Sequence, residues 1–224
     1  MSSDWSPDTP HIIVVCTANA IRSPFVENLL RERLTERGIH EIALESAGTA
    51  ARSGHPAEEG VRALARAHGF SLEAHRTRLL DERMLSAGAT VLCAERAHRR
   101  VVLGMRPDLV GGVFTIREFA RLLDASRSPG APRAWPAVLS AVANARFGDR
   151  HVAPEDDDIV DPIGQDAPVW AEFERRATTA VEVIAEALSG LAQPAPGRVG
   201  RTVPMTRREY RAVAARAGAH RSRP

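Results

Sequence analysis

There is no lysine in the 224 residues; all thirty basic side chains that would be Lys or Arg are arginine. That absence excludes Schiff-base and pyridoxal-phosphate chemistry, the kinase lysine and the lysine of a nucleotide-binding loop. Aromatic residues make up only 4%, so the core is expected to be built from Ala, Val, Leu and Ile. There are two cysteines, Cys16 and Cys93, far apart and with no CxxC pair or ladder of His and Cys ligands. A structural zinc site is therefore not expected. HExxH, GxSxG and GxGxxG are also missing. No apolar run approaches membrane-spanning length, and the first ten residues hold two Asp and no basic residue, unlike a secretory signal. A reducing cytoplasm is the expected compartment, where a cysteine is reactive or buried rather than disulfide-bonded.

What is present describes a packed domain. Apolar residues are 44% and charged residues 26%, enough to bury a core and too balanced for global disorder. The net charge of +2 hides an asymmetry: residues 193–224 carry eight Arg and one Glu, so the rest of the chain is net acidic. The expected organisation is one domain over residues 10–192, with an insertion at 124–154, followed by a basic, disordered tail at 193–224. The tail holds one aromatic residue, Tyr210, and no reader fold, so nucleic acid is not an expected partner.

Periodicity places the elements. His11–Cys16 (HIIVVC) reads as a strand buried on both faces. Ser23-Pro24 then reads as N-cap and first residue of a helix that Gly38 ends. Further strands are expected at Glu41–Ser46, Ala89–Ala94 and Gly111–Thr115. Helices are expected from Pro56 to Gly69, over Asp81–Ala87, from Ala94 to about Gly104, and through Leu123. Strand alternating with helix implies a three-layer α/β/α fold with a four-stranded parallel sheet. The Pro-rich stretch 124–154, with a helix at Pro136–Phe147, reads as an insertion over the domain or a mobile flap. Val169–Leu191 reads as a closing amphipathic helix, and Met205–Ala217 as at most weakly helical.

The chemistry concentrates in Val15–Pro24, V-C-T-A-N-A-I-R-S-P. Cys16 ends a buried strand, Arg22 follows six residues later and Ser23 opens a helix. Backbone N–H groups of Thr17, Ala18, Asn19, Ala20, Ile21, Arg22 and Ser23 can curl around one tetrahedral dianion. The helix N-terminus adds positive potential there, and Arg22 can clamp two oxygens. The same field favours Cys16 as a thiolate nucleophile. Nothing in this chemistry calls for a metal or a cofactor.

This segment resembles the nucleophile loop of the low-molecular-weight protein-tyrosine phosphatases, V-C-x-G-N-x-C-R-S-P. Four other segments are similar to that family. They are Ser46-Ala47-Gly48-Thr49, His75-Arg76-Thr77-Arg78-Leu79, Val113–Phe119 (like actinobacterial members) and Ile159-Val160-Asp161-Pro162. The resemblance implies Cys16 as nucleophile, Arg22 as clamp and Asp161 as general acid. It further implies Asn19 as loop support through Ser46, and Ser23 as the hydroxyl that eases departure of the thiolate. The implied partner is a phosphorylated protein or small phosphomonoester. Ala18 stands where the family has Gly, which predicts some loop strain. Ile21 replaces a second loop cysteine, so no vicinal disulfide can form there. Arg52 and Ile163 stand where ring-stacking walls are common.

The acidic stretch also holds Asp156, Asp157, Asp158 and Asp166, among which spacing alone does not choose; the Asp-Pro pair favours Asp161. Cys93 reads as a small core residue, and His55, His68, His98 and His151 as surface histidines. Related activities share the loop: an arsenate reductase, in which Cys93 would resolve the adduct, and a protein-arginine phosphatase. A non-catalytic phosphate binder would be expected to lack the cysteine, arginine or acid, and all three are here.

Overall fold

The structure, a computed structural model, describes residues 10–126, 134–148 and 153–192. β1 (His11–Cys16) lies inside the sheet, paired in parallel with β2 (Ala43–Gly48) on one side and β3 (Thr90–Cys93) on the other. β4 (Val113–Thr115) continues beyond β3, giving the order β2-β1-β3-β4. Parallel pairing demands crossovers. The helices are α1 (Arg22–Glu36), α2 (Glu59–Ala67), α3 (Arg96–Met105), α4 (Ile116–Ala125), α5 (Trp135–Gly148) and α6 (Ala167–Ala192).

Alternation along β1 divides the core. Ile12, Val14 and Cys16 join a cluster containing Phe25, Leu29, Leu30, Phe119, Phe173 and Ile184. Ile13 and Val15 join a second cluster with Val91, Cys93, Val102 and Leu109. The second is the aliphatic core expected from composition. The first instead concentrates four phenylalanines, Phe25, Phe114, Phe119 and Phe173, all fully buried. Phe25 lies 5.4 Å from Phe173 and 5.6 Å from Phe70, centroid to centroid, in the range of favourable ring pairs.

Local chemistry explains where elements start. Thr115 Oγ1 accepts from Glu118 N–H and Glu118 accepts from Thr115 N–H, both at 3.2 Å, a reciprocal cap that opens α4 directly from β4. α1 departs from expectation. It begins at Arg22 and no side chain caps it, because the Ser23 hydroxyl is drawn inward. α2 begins at Glu59 rather than Pro56, and Asp81–Ala87 forms only a short 3-10 turn, Glu82–Met84.

α5 packs into the first core through Trp135, Val138 and Val142. The indole of Trp135 donates to Thr90 Oγ1 at 3.2 Å and stacks edge-on against Phe119. Arginines close both edges of the sheet. Arg146 of α5 and Arg99 donate to Val113 O at 2.9 and 3.2 Å, while Arg31 and Arg78 donate to Leu44 O and Ser46 O at 3.0 and 2.5 Å. Edge carbonyls occupied in this way are not free to pair with another chain. The basic tail, Met205–Ala217, Tyr210 and His151 lie outside the described residues.

Candidate active site

The carboxyl ends of β1 and β3 mark the point where the strand order reverses, the usual crevice of such sheets. Residues 17–21 turn there between β1 and α1. The carbonyls of Cys16, Thr17, Asn19 and Ala20 face outward to neighbouring loops. Thr49 and Ala50 N–H donate to Cys16 O and Thr17 O at 2.9 Å, Glu58 N–H to Ala20 O at 3.0 Å, and His75 Nε2 to Asn19 O at 2.8 Å. Peptide planes held this way turn their N–H groups to the inside of the loop, where they form an anion-binding concavity. The uncapped first turn of α1 adds to it.

Asn19 is the non-glycine residue with positive φ, +55°, among the described residues. The strain expected at Ala18 is therefore absent: the left-handed bend sits one residue later, on an asparagine that tolerates it. The Asn19 side chain locks the bend. Its Nδ2 donates to Ser23 Oγ and Ser46 Oγ, both at 2.9 Å, and its Oδ1 accepts from Arg78 N–H at 2.9 Å. Ser23 Oγ, which accepts from Asn19, lies 3.0 Å from Cys16 Sγ and also reaches Ala47 O at 3.4 Å. Asn19 N–H lies 3.3 Å from the same sulfur. Gly48 makes the loop fit: a Cβ there would stand 2.5 Å from Thr17 O and 2.8 Å from Asn19 N.

Arg22 is buried and held at both terminal nitrogens. Nη1 bonds the Glu95 carboxylate and, at 3.2 Å, Ile159 O; Nη2 bonds Thr17 Oγ1 at 3.2 Å and Asp161 Oδ2 at 2.6 Å. The contacts separate the candidate acids. Asp158 accepts Arg96 N–H at 2.9 Å and the Arg96 guanidinium at 3.0 Å, Asp157 pairs with Arg121 at 2.8 Å, and Asp166 accepts Val169 N–H at 3.4 Å at the start of α6. Asp161 is the acidic residue of residues 155–166 that meets Arg22.

Three features escaped the sequence reading. His98 is not on the surface; it is buried, with Nε2 2.8 Å from Thr17 Oγ1. Glu95 reaches Arg22, and His68 pairs with Glu174 at 2.8 Å. The available signal for the first two was Glu95-x-x-His98 at the carboxyl end of β3, next to the strand carrying Cys16. Cys93 sits on the opposite sheet face from Cys16, fully buried, and burial pushes its thiol far above the ordinary range. A relay between the two sulfurs has no path. Trp135, with its indole in the core, is no wall for the site. Ile163, Leu79 and Phe147 are exposed.

Fold and loop together define a class: α/β proteins that present a thiol to a tetrahedral oxyanion. Comparison with known sequences narrows it. The low molecular weight phosphotyrosine protein phosphatase family model matches residues 11–127, more than half the chain, and the chain belongs to that family. It is a cysteine-based phosphatase, a hydrolase. A probable low molecular weight protein-tyrosine-phosphatase, EpsP, of Ralstonia nicotianae is 33% identical over 107 residues, 48% of this chain and 70% of that protein. The phosphatase Etp of Escherichia coli is 37% identical over 100 residues, 45% of this chain and 64% of that one. The fold matches a low molecular weight protein tyrosine phosphatase from T. tengcongensis at 22% identity and a TM-score of 0.60, over 80% of this chain and 99% of that one. It also matches the YwlE arginine phosphatase from Geobacillus stearothermophilus at 20% identity and 0.59, over 81% and 94%. The family match ends before Asp161, so that residue rests on geometry. No helix among the described residues is long and apolar enough to cross a membrane.

Proposed function

We propose that Cys16, Arg22 and Asp161 hydrolyse phosphomonoesters through a phosphocysteine, with residues 17–23 as the anion cradle and Ser46 supporting it through Asn19. In the first step the Cys16 thiolate attacks phosphorus, an S–P bond forms and the bond from phosphorus to the leaving oxygen breaks. Asp161 gives that oxygen its proton. Arg22 and the loop amides carry the charge of the equatorial oxygens, in place of a metal. In the second step Asp161 takes a proton from water, the water oxygen attacks phosphorus and the S–P bond breaks. The Ser23 hydroxyl stabilises the departing thiolate. The observation that carries this reading is the 2.6 Å contact between Asp161 and Arg22, which sets an acid beside the cradle from 139 residues along the chain.

The substrates are aryl phosphates of the phosphotyrosine type, held with little selectivity for the ring. Exposed Arg52 and Ile163 supply no aromatic wall, and indole from Trp135 is committed to the core. The family and the names of the related phosphatases support phosphorylated protein as the substrate class.

The test is Cys16→Ser without added metal. Turnover of 4-nitrophenyl phosphate is expected to vanish while orthovanadate binding, measured by calorimetry, persists through the cradle and Arg22. Substantial residual turnover would refute the assignment.

A further inference from the structure

Arg22 Nη2 has two partners with different fates. In the mechanism proposed above, Asp161 must leave that nitrogen to serve the leaving group, and a phosphoryl oxygen takes its place. Thr17 Oγ1, at 3.2 Å, is the contact that stays. Without it the guanidinium would be anchored through Nη1 alone and free to tilt away from the substrate.

A hydroxyl oxygen can both donate and accept, so what fixes Thr17 as an acceptor must come from outside it. His98 does this. Glu95 N–H donates to His98 Nδ1 at 3.1 Å, so that nitrogen carries no proton. The neutral ring then bears its proton on Nε2, 2.8 Å from Thr17 Oγ1. Nε2–H fills one lone pair of Oγ1 and Arg22 Nη2 the other, and the Thr17 proton is turned away from both. Burial and the charge of Arg22 hold His98 below the usual imidazole range, against the opposing pull of Glu95, Asp161 and Asp158. The neutral tautomer is thus the resting form.

We propose that His98 is a positioning residue that acts through Thr17 to orient Arg22 for the incoming phosphoryl group. The short segment Glu95-Arg96-Ala97-His98 at the start of α3 then controls both nitrogens of the clamp, Nη1 directly through Glu95 and Nη2 through His98 and Thr17. The inference rests on Arg22 being the phosphate clamp.

The experiment uses the full chain with 4-nitrophenyl phosphate as substrate, inorganic phosphate as competitive inhibitor and iodoacetamide, which is uncharged, as a probe of Cys16. For His98→Ala, kcat/KM is expected to fall about tenfold and the phosphate inhibition constant to rise by a similar factor, the loss of one hydrogen bond in a charged site. The alkylation rate of Cys16 should not change. His98→Gln, whose amide can donate from nearly the Nε2 position, should recover to within roughly threefold of the parent. Thr17→Val should reproduce the loss, and the double variant should be no worse than the weaker single variant, because both remove one linkage. An unchanged phosphate constant in His98→Ala, a fall in melting temperature alone, or losses that multiply in the double variant would each overturn the proposal. If His98→Ala does not fold, Thr17→Val against His98→Gln makes the same comparison. Insensitivity of turnover to iodoacetamide in the parent protein would instead sink the cysteine mechanism, so the two failures are distinguishable.

Discussion

Asp158 and Asp161 stand three residues apart in the same acidic stretch and do different work. Asp158 accepts Arg96 N–H and guanidinium and so pins the loop to the start of α3. Asp161 faces Arg22. Asp161→Asn is expected to lower kcat on alkyl phosphates by about 10²–10⁴, the range of a general acid, and by much less on 4-nitrophenyl phosphate, whose leaving group needs little protonation. Asp158→Asn should lower the melting temperature without that dependence on the leaving group. Steady-state kinetics across a leaving-group series decide; the reverse pattern would exchange the roles. His98 adds a pH signature. In the folded protein its proton affinity is depressed, by burial and then by Arg22. The unfolded chain takes up that proton below about pH 6.5 while the folded one does so only at lower pH. The stability it contributes is therefore present above the unfolded value and is lost as pH falls through the folded one. Melting curves from pH 7.5 to 5 should show this loss, and His98→Gln should flatten that part of the profile. An identical slope in the variant would remove His98 as the cause.

At the level of elements, α5 does more than fill the chain between α4 and the acidic loop. Trp135, Val138 and Val142 enter the main core, and Arg146 lies over the Phe114 ring at 4.3 Å while bonding Glu118 at 2.7 Å. Trp135→Ala is expected to cost about 3–5 kcal/mol, as for other large core truncations. Denaturant unfolding measures this. The ratio of kcat/KM for a phosphotyrosine peptide over an alkyl phosphate-matched control should stay unchanged in that variant, because the indole faces the core. A collapse of that ratio with stability intact would mean that α5 does contribute a ring clamp.

At the level of the whole molecule, the period-two alternation of a central sheet separates the two cysteines. Cys16 belongs to one core cluster and Cys93 to the other, across the sheet, and the neighbour of Arg22 in the loop is Ile21. An oxidised Cys16 thus finds no second thiol in its own core cluster. Hydrogen peroxide is expected to inactivate the enzyme with added oxygen on Cys16 and without an intramolecular disulfide, and recovery should require an external thiol supplied early. Peptide mass mapping tests it, and a Cys16–Cys93 bridge would contradict the structure. Cys93→Ser should inactivate at the parental rate.

Much of this was legible in one dimension, because local chemistry carried it. Cys16, Asn19, Arg22 and Ser23 lie within eight residues, and a loop that cradles an anion is made of consecutive amides. β1 and β3 announced themselves as short apolar runs. Other choices depended on chain segments far apart. Whether Asp161 or Asp158 faces the site is decided by where residues 155–166 cross α3. Ser23 became a partner of the thiol rather than a helix cap because Asn19 and Cys16 compete for its hydroxyl. His98 looked like any surface histidine until β3 packed beside β1 and brought Thr17 to its Nε2. The sequence by itself determined the nucleophile loop and the alternating fold, since both follow from near neighbours and periodicity. Only the tertiary structure decided which distant carboxylate, histidine and arginine meet at that loop, because hydrogen bonds and ion pairs are selected by distances of about 3 Å that no spacing along the chain encodes.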